Sequence, residues 1–339
     1  MKRCTKIILA GMFAFLVSAG ITAAQVGTDG NLAYTFSTCQ ADNPAANNPE
    51  TFVIRNRLDS GWIWTASADA MIMSRSGGKT SSLLLNAGTG GEIFNSNGFN
   101  FPWAAGPRVS IVHEDICCCC DLEASYFGID GWSAVKSITV PAEGANFMVY
   151  NATAFTLDPG DKVNYYYISR LHSVEINLRH PIWERLYVLM GFRNVELHEE
   201  LHATVNDMLY LNDDNVDNHL YGGQIGMNVA FVNTCRCSIE GVIKAGVYGN
   251  NADVTMQIRD RIRRGDATNH TAAQGEIGLM GIFQVTERLS ARLGYQAMWL
   301  DGIALAGDQV ENLKYADPKP YMGGTLFYHG ATAGFEFTF

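Results

Sequence analysis

The stretch His198-Glu199-Glu200-Leu201-His202 has the residue types closest to a reactive pattern. It matches H-E-x-x-H, which on a helix sets two imidazoles one turn apart around zinc, with the first glutamate as base. The helical context is missing here, because the stretch lies just past a predicted strand and is expected in an external loop. The spacing therefore supports incidental metal binding at most, and neither a catalytic residue nor a metal site is assigned. Asp213, Asp214, Asp217 and His219 follow in the same region. They would be the residues of an alternative function, a membrane-barrel hydrolase with its site among external loops. No G-x-S-x-G, P-loop or dinucleotide fingerprint is present, so no cofactor is expected.

Cysteine is the second chemically notable type. Eight occur, and Cys4 belongs to an N-terminal leader. The others are Cys39, Cys117, Cys118, Cys119, Cys120, Cys235 and Cys237. In an oxidising compartment disulfides are the default, and an odd number leaves one thiol over. Cys117–Cys120, Cys235 and Cys237 fall at two short turns that the topology sets on one rim. Adjacent cysteines pair badly with each other, so a bond between the two turns is the expectation. Thiolate metal binding lacks matched C-x-x-C pairs and is the weaker reading.

The third set is larger and dispersed. Asp69, Arg75, Arg108, Glu123, Glu175, Arg179, Arg193, Glu240, Lys244, Glu276, Arg292 and Glu336 each stand opposite an apolar face in a segment with a two-residue period. Charges so placed either line an aqueous path and set ion preference or pair across a narrow lumen and fill it. Small barrels of about eight strands are filled by side chains, whereas those of about sixteen leave a channel.

Ten such segments can be counted. Thr325–Phe339 sets Phe327, Ala331, Ala333, Phe335, Phe337 and Phe339 against Tyr328, Thr332, Gly334, Glu336 and Thr338. Segments near 62–75, 108–112, 122–127, 167–179, 186–195, 224–231, 239–247, 272–285 and 290–300 alternate likewise. The connections between them alternate too. Long ones are predicted near 76–106, 132–165, 198–218, 250–270 and 303–323, and short ones near 117–120, 180–181, 233–235 and 286–288. That pattern, with an even strand count, predicts an all-β, transmembrane, antiparallel up-and-down barrel with long external loops and short periplasmic turns. Aromatics at segment ends, such as Trp62, Trp64, Trp183, Tyr187 and Trp299, suit interfacial girdles.

The flanking regions agree. Lys2, Arg3 and Lys6 precede an apolar run from Ile7 to Val17 and small residues at Thr22-Ala23-Ala24, the layout of a signal peptide over 1–24. Residues 25–60 form a polar periplasmic segment, and 61–339 form the barrel. Losing Lys2, Arg3 and Lys6 takes the net charge from −10 to −13, which excludes nucleic acid as a natural partner. The expected partners are outer-membrane lipid and small ions or solutes.

The runs GPRVSIVHEDICCCCDLEASYFGIDGWSA (106–134), SIEGVIKAGVYGNNA (238–252) and LGYQAMWLDGIALAGDQ (293–309), with the ending HGATAGFEF (329–337), resemble a β-barrel porin family of planctomycete bacterial outer membranes. The resemblance covers most of residues 60–339. It implies an outer-membrane barrel of unproven transport function and carries over no catalytic residue. Phe335, Phe337 and Phe339 also look like the terminal signal that barrel-assembly machinery reads.

Overall fold

The computed structural model describes residues 64–339 apart from 79, 117–119, 150–151, 184, 208, 235, 259–260 and 310–319. The expected leader, the polar segment 25–60, and Cys39, Cys117, Cys118, Cys119 and Cys235 lie outside the described residues.

Fourteen strands follow in chain order. They are β1 (Trp64–Gly77), β2 (Ser82–Asn86), β3 (Glu92–Asn95), β4 (Ala104–His113), β5 (Asp121–Thr139), β6 (Ala145–Val149) and β7 (Ala152–Leu157), then β8 (Lys162–Trp183), β9 (Leu186–Val205), β10 (Leu209–Asn233), β11 (Cys237–Ile258), β12 (Arg261–Gln284), β13 (Leu289–Ile303) and β14 (Gly324–Thr338). Ten of them form a closed antiparallel barrel in the order β1-β14-β13-β12-β11-β10-β9-β8-β5-β4. The remaining four make a small sheet, β3-β2-β6-β7, from the connections after β1 and β5.

Closure joins the first barrel strand to the last. Thr65 pairs with Thr338, and the register runs without a break to Gly77 opposite Leu326. Closing the sheet satisfies every edge, as hydrocarbon demands of a spanning strand. Around the lower part, Ile72, Val109, Ile176, Phe192, Ile225, Ile243, Leu279, Leu293 and Phe335 all lie exposed on the outer face. Trp64, Trp183 and Phe339 stand at the lower rim and are also exposed.

The barrel is uneven in height. β13, β14, β1 and β4 have 15, 15, 14 and 10 residues, whereas β8 to β12 have 20 to 25. Two of the expected long loops therefore do not exist as loops. Residues 198–205 and 209–218 continue β9 and β10, and the 250–270 region continues β11 and β12. The turn after β9 explains the first case. Asn206 and Asp207 both adopt left-handed backbone, with φ of 52° and 58°, the conformation that makes a tight hairpin matching strand twist. On the low side, Gly77 and Gly78 have φ of 110° and 116°. A side chain at Gly77 would also strike the Thr325 carbonyl, so glycine is needed to turn β1 out of the wall.

The small sheet fills the barrel mouth. Its Leu83, Leu84, Phe94 and Phe147 join Tyr165, Leu201, Val205, Val216, Val254 and Met256 of the tall wall in one buried apolar cluster.

Candidate functional site

Strand alternation directs all twelve charged residues of the sequence analysis to the barrel interior. The structure brings eleven of them together in the lower half. At the centre, Glu175 accepts from Lys244 Nζ at 2.7 Å, Ser125 Oγ at 2.8 Å and Gln224 Nε2 at 2.6 Å. Arg193 donates to Glu276 at 2.8 Å and to Ser173 Oγ at 2.8 Å, and its Nη1 lies 3.8 Å from Glu175. Its guanidinium is also 5.6 Å from the Phe127 ring centre. Arg179 and Asn177 both donate to Glu123 at 3.2 Å. To one side, Arg292 bonds Glu336 at 3.2 Å and faces Asp69 at 3.6 Å, while Arg108 donates to Gln296 at 2.8 Å. Glu240 accepts from Asn228. Six acids meet five bases, so the layer is nearly neutral and held by cross-lumen pairs between strands far apart in sequence.

An apolar layer lies directly above. Met71, Met73, Phe127, Ile129, Trp132, Leu171, Leu197, Leu220, Met298, Leu300, Leu326 and Tyr328 converge from opposite walls into one buried cluster. Trp132 is fully buried and donates its indole N–H to the Met73 carbonyl at 3.2 Å. These side chains form a septum across the lumen.

Arg75, the twelfth charge, sits apart from the others, because it points inward near the top of β1. It pairs with Glu199, which is fully buried and also accepts from Tyr167 Oη at 2.5 Å, Ser169 Oγ at 3.2 Å and the Ala306 amide at 3.1 Å. The Arg75 guanidinium lies 4.3 Å from the Phe101 ring centre. A cavity of about 500 Å³ opens at this node, between the end of β1, residues 96–101 and the short helical turn Ala306–Gln309. Sequence reasoning missed Glu199. Its signal was the alternation inside H-E-E-L-H, which sends Glu199 inward and its neighbours outward.

His198, Glu200 and His202 lie on the outer face of β9, in strand rather than loop. Two residues four apart on a strand are separated by roughly 13 Å, so His198 and His202 do not share the close grip a helix would give. Each instead pairs with acids on its own face. His198 contacts Asp217 at 2.5 Å and Glu200 at 2.7 Å, and His202 contacts Asp213 at 3.0 Å and Glu200 at 3.4 Å. His219 pairs with Glu196. Burial works against the His198 cation, but hydrogen bonds to Asp217 and Glu200 outweigh it and raise its pKa above that of an ordinary histidine. Burial likewise opposes the Glu200 charge, and hydrogen bonds from His198 and His202 outweigh it and hold the carboxyl low. Asp214 points the other way, into the barrel. Burial pushes its carboxyl well above the usual range, against a hydrogen bond from Asn212. Asp213, Asp217 and His219 on the outer face and Asp214 on the inner one therefore do not converge on one site.

Of the six cysteines expected to pair, Cys120 and Cys237 are described, and Cys237 is a free thiol. The first is buried, with its sulfur 3.6 Å from His180 Nδ1, and the second is exposed. Phe335, Phe337 and Phe339 alternate outward along the end of β14, and the rings of Phe337 and Phe339 stack at 5.9 Å.

No family model matches the sequence, and no curated protein matches it. Among solved structures the chain is similar to the outer membrane protease OmpT from Escherichia coli. The two are 10% identical over 82% of this chain and 97% of that one, with a TM-score of 0.48. It is also similar to the Ralstonia pickettii toluene transporter TbuX, 12% identical over 83% of this chain and 90% of that one, TM-score 0.34. A Pseudomonas aeruginosa FadL homologue is 9% identical over 82% and 90%, TM-score 0.28. The strand order by itself makes the chain a closed antiparallel β-barrel of ten strands.

Proposed function

We propose that this chain is a bacterial outer-membrane β-barrel with a lumen sealed at rest, serving as a structural membrane protein or as a narrow pore that opens only when the seal is displaced. The observation that carries the reading is the stacking of two filled layers in one lumen, cross-paired charges below and the Met–Leu–Trp septum above. An ion entering from either end meets a layer filled by side chains. The apolar outer belt supports a lipid setting, because so many exposed aliphatic and aromatic side chains at one height are costly in water. The leader-like N-terminus and the likeness of several runs to planctomycete porins point the same way. In this reading no catalytic role is assigned, the partners are lipid and the assembly machinery, and no nucleic acid is bound.

The test is conductance of the purified chain in planar bilayers. Wild-type protein should be electrically silent. Met298→Gly combined with Leu171→Gly, which thins the septum, should give brief openings with weak cation preference, since acids exceed bases by one in the layer below. Steady single-channel current from the wild type would overturn the sealed reading.

A further inference from the structure

Three side chains on the outer face of the barrel are linked in a line. Tyr126 Oη lies 2.9 Å from His172 Nδ1, and His172 Nε2 lies 2.9 Å from a carboxylate oxygen of Asp130. Tyr126 and Asp130 stand on β5 and His172 on the adjoining β8. The backbone is shaped around this line in two places. A Cβ at Gly128 would stand 2.5 Å from both Tyr126 Oη and His172 Nδ1, so the bond between them passes over a glycine that leaves room for it. Just beyond, the register slips. Ile129 faces Leu171 and Trp132 faces Ser169, so Asp130 and Gly131 together oppose Arg170. A bulge of this kind re-aims a side chain and leaves its extra residue outside the ladder.

The neighbours fix the level of the line. Val109 and Val174 are the cross-strand mates of Tyr126 and Ile176 lies below, all exposed on the apolar belt. His172 is the mate of Glu196, one of the outward polar residues of upper β9. The Asp130 side chain is 64% exposed. The line therefore runs from the edge of the apolar belt into the polar wall.

A hydroxyl held by an imidazole, whose other nitrogen is held by a carboxylate, is the arrangement that makes a hydroxyl nucleophilic. The surroundings select the electrophile. Asp130 and Glu196 are both acidic, and Arg170, two residues from His172, is taken by Glu200 at 3.5 Å. A phosphoryl centre with its anionic oxygens is disfavoured there, whereas an uncharged ester carbonyl is not. The ester that reaches this level from the apolar side is that of a membrane lipid.

We propose that Tyr126, His172 and Asp130 form an acyl-transfer site that cleaves ester-linked acyl chains of lipids at the outer boundary of the membrane. Tyr126 Oη attacks the ester carbonyl carbon while its proton passes to His172 Nδ1. The bond from that carbon to the alkoxy oxygen breaks, and His172 returns the proton to the departing alcohol, leaving acyl-Tyr126. Water then attacks the acyl carbon and gives a proton to His172. The carboxylic acid leaves as that proton returns to Tyr126 Oη. The site rests on the lipid setting proposed above, but not on whether the lumen conducts.

The test uses the purified full chain, in detergent micelles with p-nitrophenyl decanoate and in phosphatidylcholine vesicles. The activated ester should give a burst of nitrophenol and a decanoyl adduct that peptide mass spectrometry places on Tyr126. The vesicles should release fatty acid. Tyr126→Phe should lose both adduct and turnover, and His172→Gln should slow turnover about a hundredfold or more. Each should keep heat-modifiable mobility, the sign of an intact barrel. Asp130 is a positioning residue, so Asp130→Asn should lower kcat with KM kept, and Asp130→Glu should restore part of the rate. Tyr295→Phe is the internal control. Tyr295 Oη also meets a histidine, His329 Nδ1, at 2.6 Å, but among the described residues no carboxylate holds the far side of that ring. This variant should act as wild type. No ester cleavage by a chain that floats with vesicles overturns the proposal alone. Unchanged turnover in a folded Tyr126→Phe protein does the same, as does equal acylation of Tyr295 or cleavage of the activated ester with no fatty acid from vesicles. Cleavage by a chain that does not float would overturn the lipid setting, and the lipid substrate with it.

Discussion

The lower and upper halves of the tall wall are built from the same strands with opposite polarity. On β9 the lower outward residues are Leu186, Val188, Met190 and Phe192, and the inward charge is Arg193. Two residues further on the pattern inverts. Asn194, Glu196, His198, Glu200 and His202 now face out, and Val195, Leu197, Leu201 and Ala203 face in, buried. β10 inverts at the same level, with Tyr221, Ile225 and Met227 exposed below and Asp213, Asp217 and His219 outward above. A barrel in hydrocarbon is apolar outside and polar within, and a protein in water is the reverse. The inversion therefore marks where lipid ends. Above it roughly 36 Å of strand continues from Asn194 to Val205, at about 3.3 Å per residue, as a water-facing wall around an apolar core.

The strongest way to probe this contrast is to disturb the interior of the lower half. Arg193→Leu leaves buried Glu276 without the cation that is hydrogen-bonded to it, and should cost about 3–5 kcal/mol, read by denaturant unfolding in micelles. Loss of less than about 1 kcal/mol would mean that water already reaches the charge layer. Next comes a matched pair on one outer face of β11. Ile243→Arg, in the apolar belt, should cost ~2–4 kcal/mol if near the bilayer midplane, while Asp253→Arg, above the inversion, should stay within about 0.5 kcal/mol. Equal costs would erase the boundary drawn here.

The smallest effect is protonic and confined to the upper half. The raised His198 pKa means its contribution is fully present below the unfolded value of about 6.5 and is lost as pH rises through the folded value. The low Glu200 carboxyl contributes above its unfolded value and is lost as pH falls through the folded one. Asp214, raised by burial, weakens the folded state as pH climbs above the unfolded carboxyl range. Hydrogen exchange in the β9–β10 hairpin should therefore quicken between pH 6 and 9, while the lower strands hold. His198→Ala should flatten that slope, and Asp214→Asn should slow exchange at neutral pH. A uniform change along both strands would show that the two halves do not respond separately.

The same inversion sets how much could be read from the sequence. Strand number, strand order and the inward faces of the lower half follow from an uninterrupted two-residue period, as at Ile239, Ile243 and Val247 against Glu240 and Lys244. At Asn194–Glu200 the period continues but its phase of polarity reverses, so a reading keyed to apolar-out sees a break and assigns a loop. Asn206-Asp207 carried the missing signal, residues suited to left-handed backbone in a short turn between alternating segments. The Arg75–Glu199 pair could not be read at all. It joins β1 to a part of β9 taken for loop, and its partner at Ala306 comes from a turn with no strand pattern. The four-stranded sheet in the mouth was hidden for a similar reason, since its short strands lie inside stretches of ordinary loop composition.

The seam between β1 and β14 has a consequence in time. Trp64 N donates to the Phe339 carbonyl and Phe339 N to that of Trp64, each at 2.9 Å, so the two ends of the described chain are hydrogen-bonded mates. Contacts so distant in sequence pay their full loop-closure entropy before they return anything, and chains dominated by them fold slowly. Until residue 339 is available, β1 has only the ten-residue β4 beside it and an open edge on its other side. The barrel therefore cannot mature piece by piece from its N-terminal end, and a chain stalled short of its last strand presents an unpaired edge for as long as it waits.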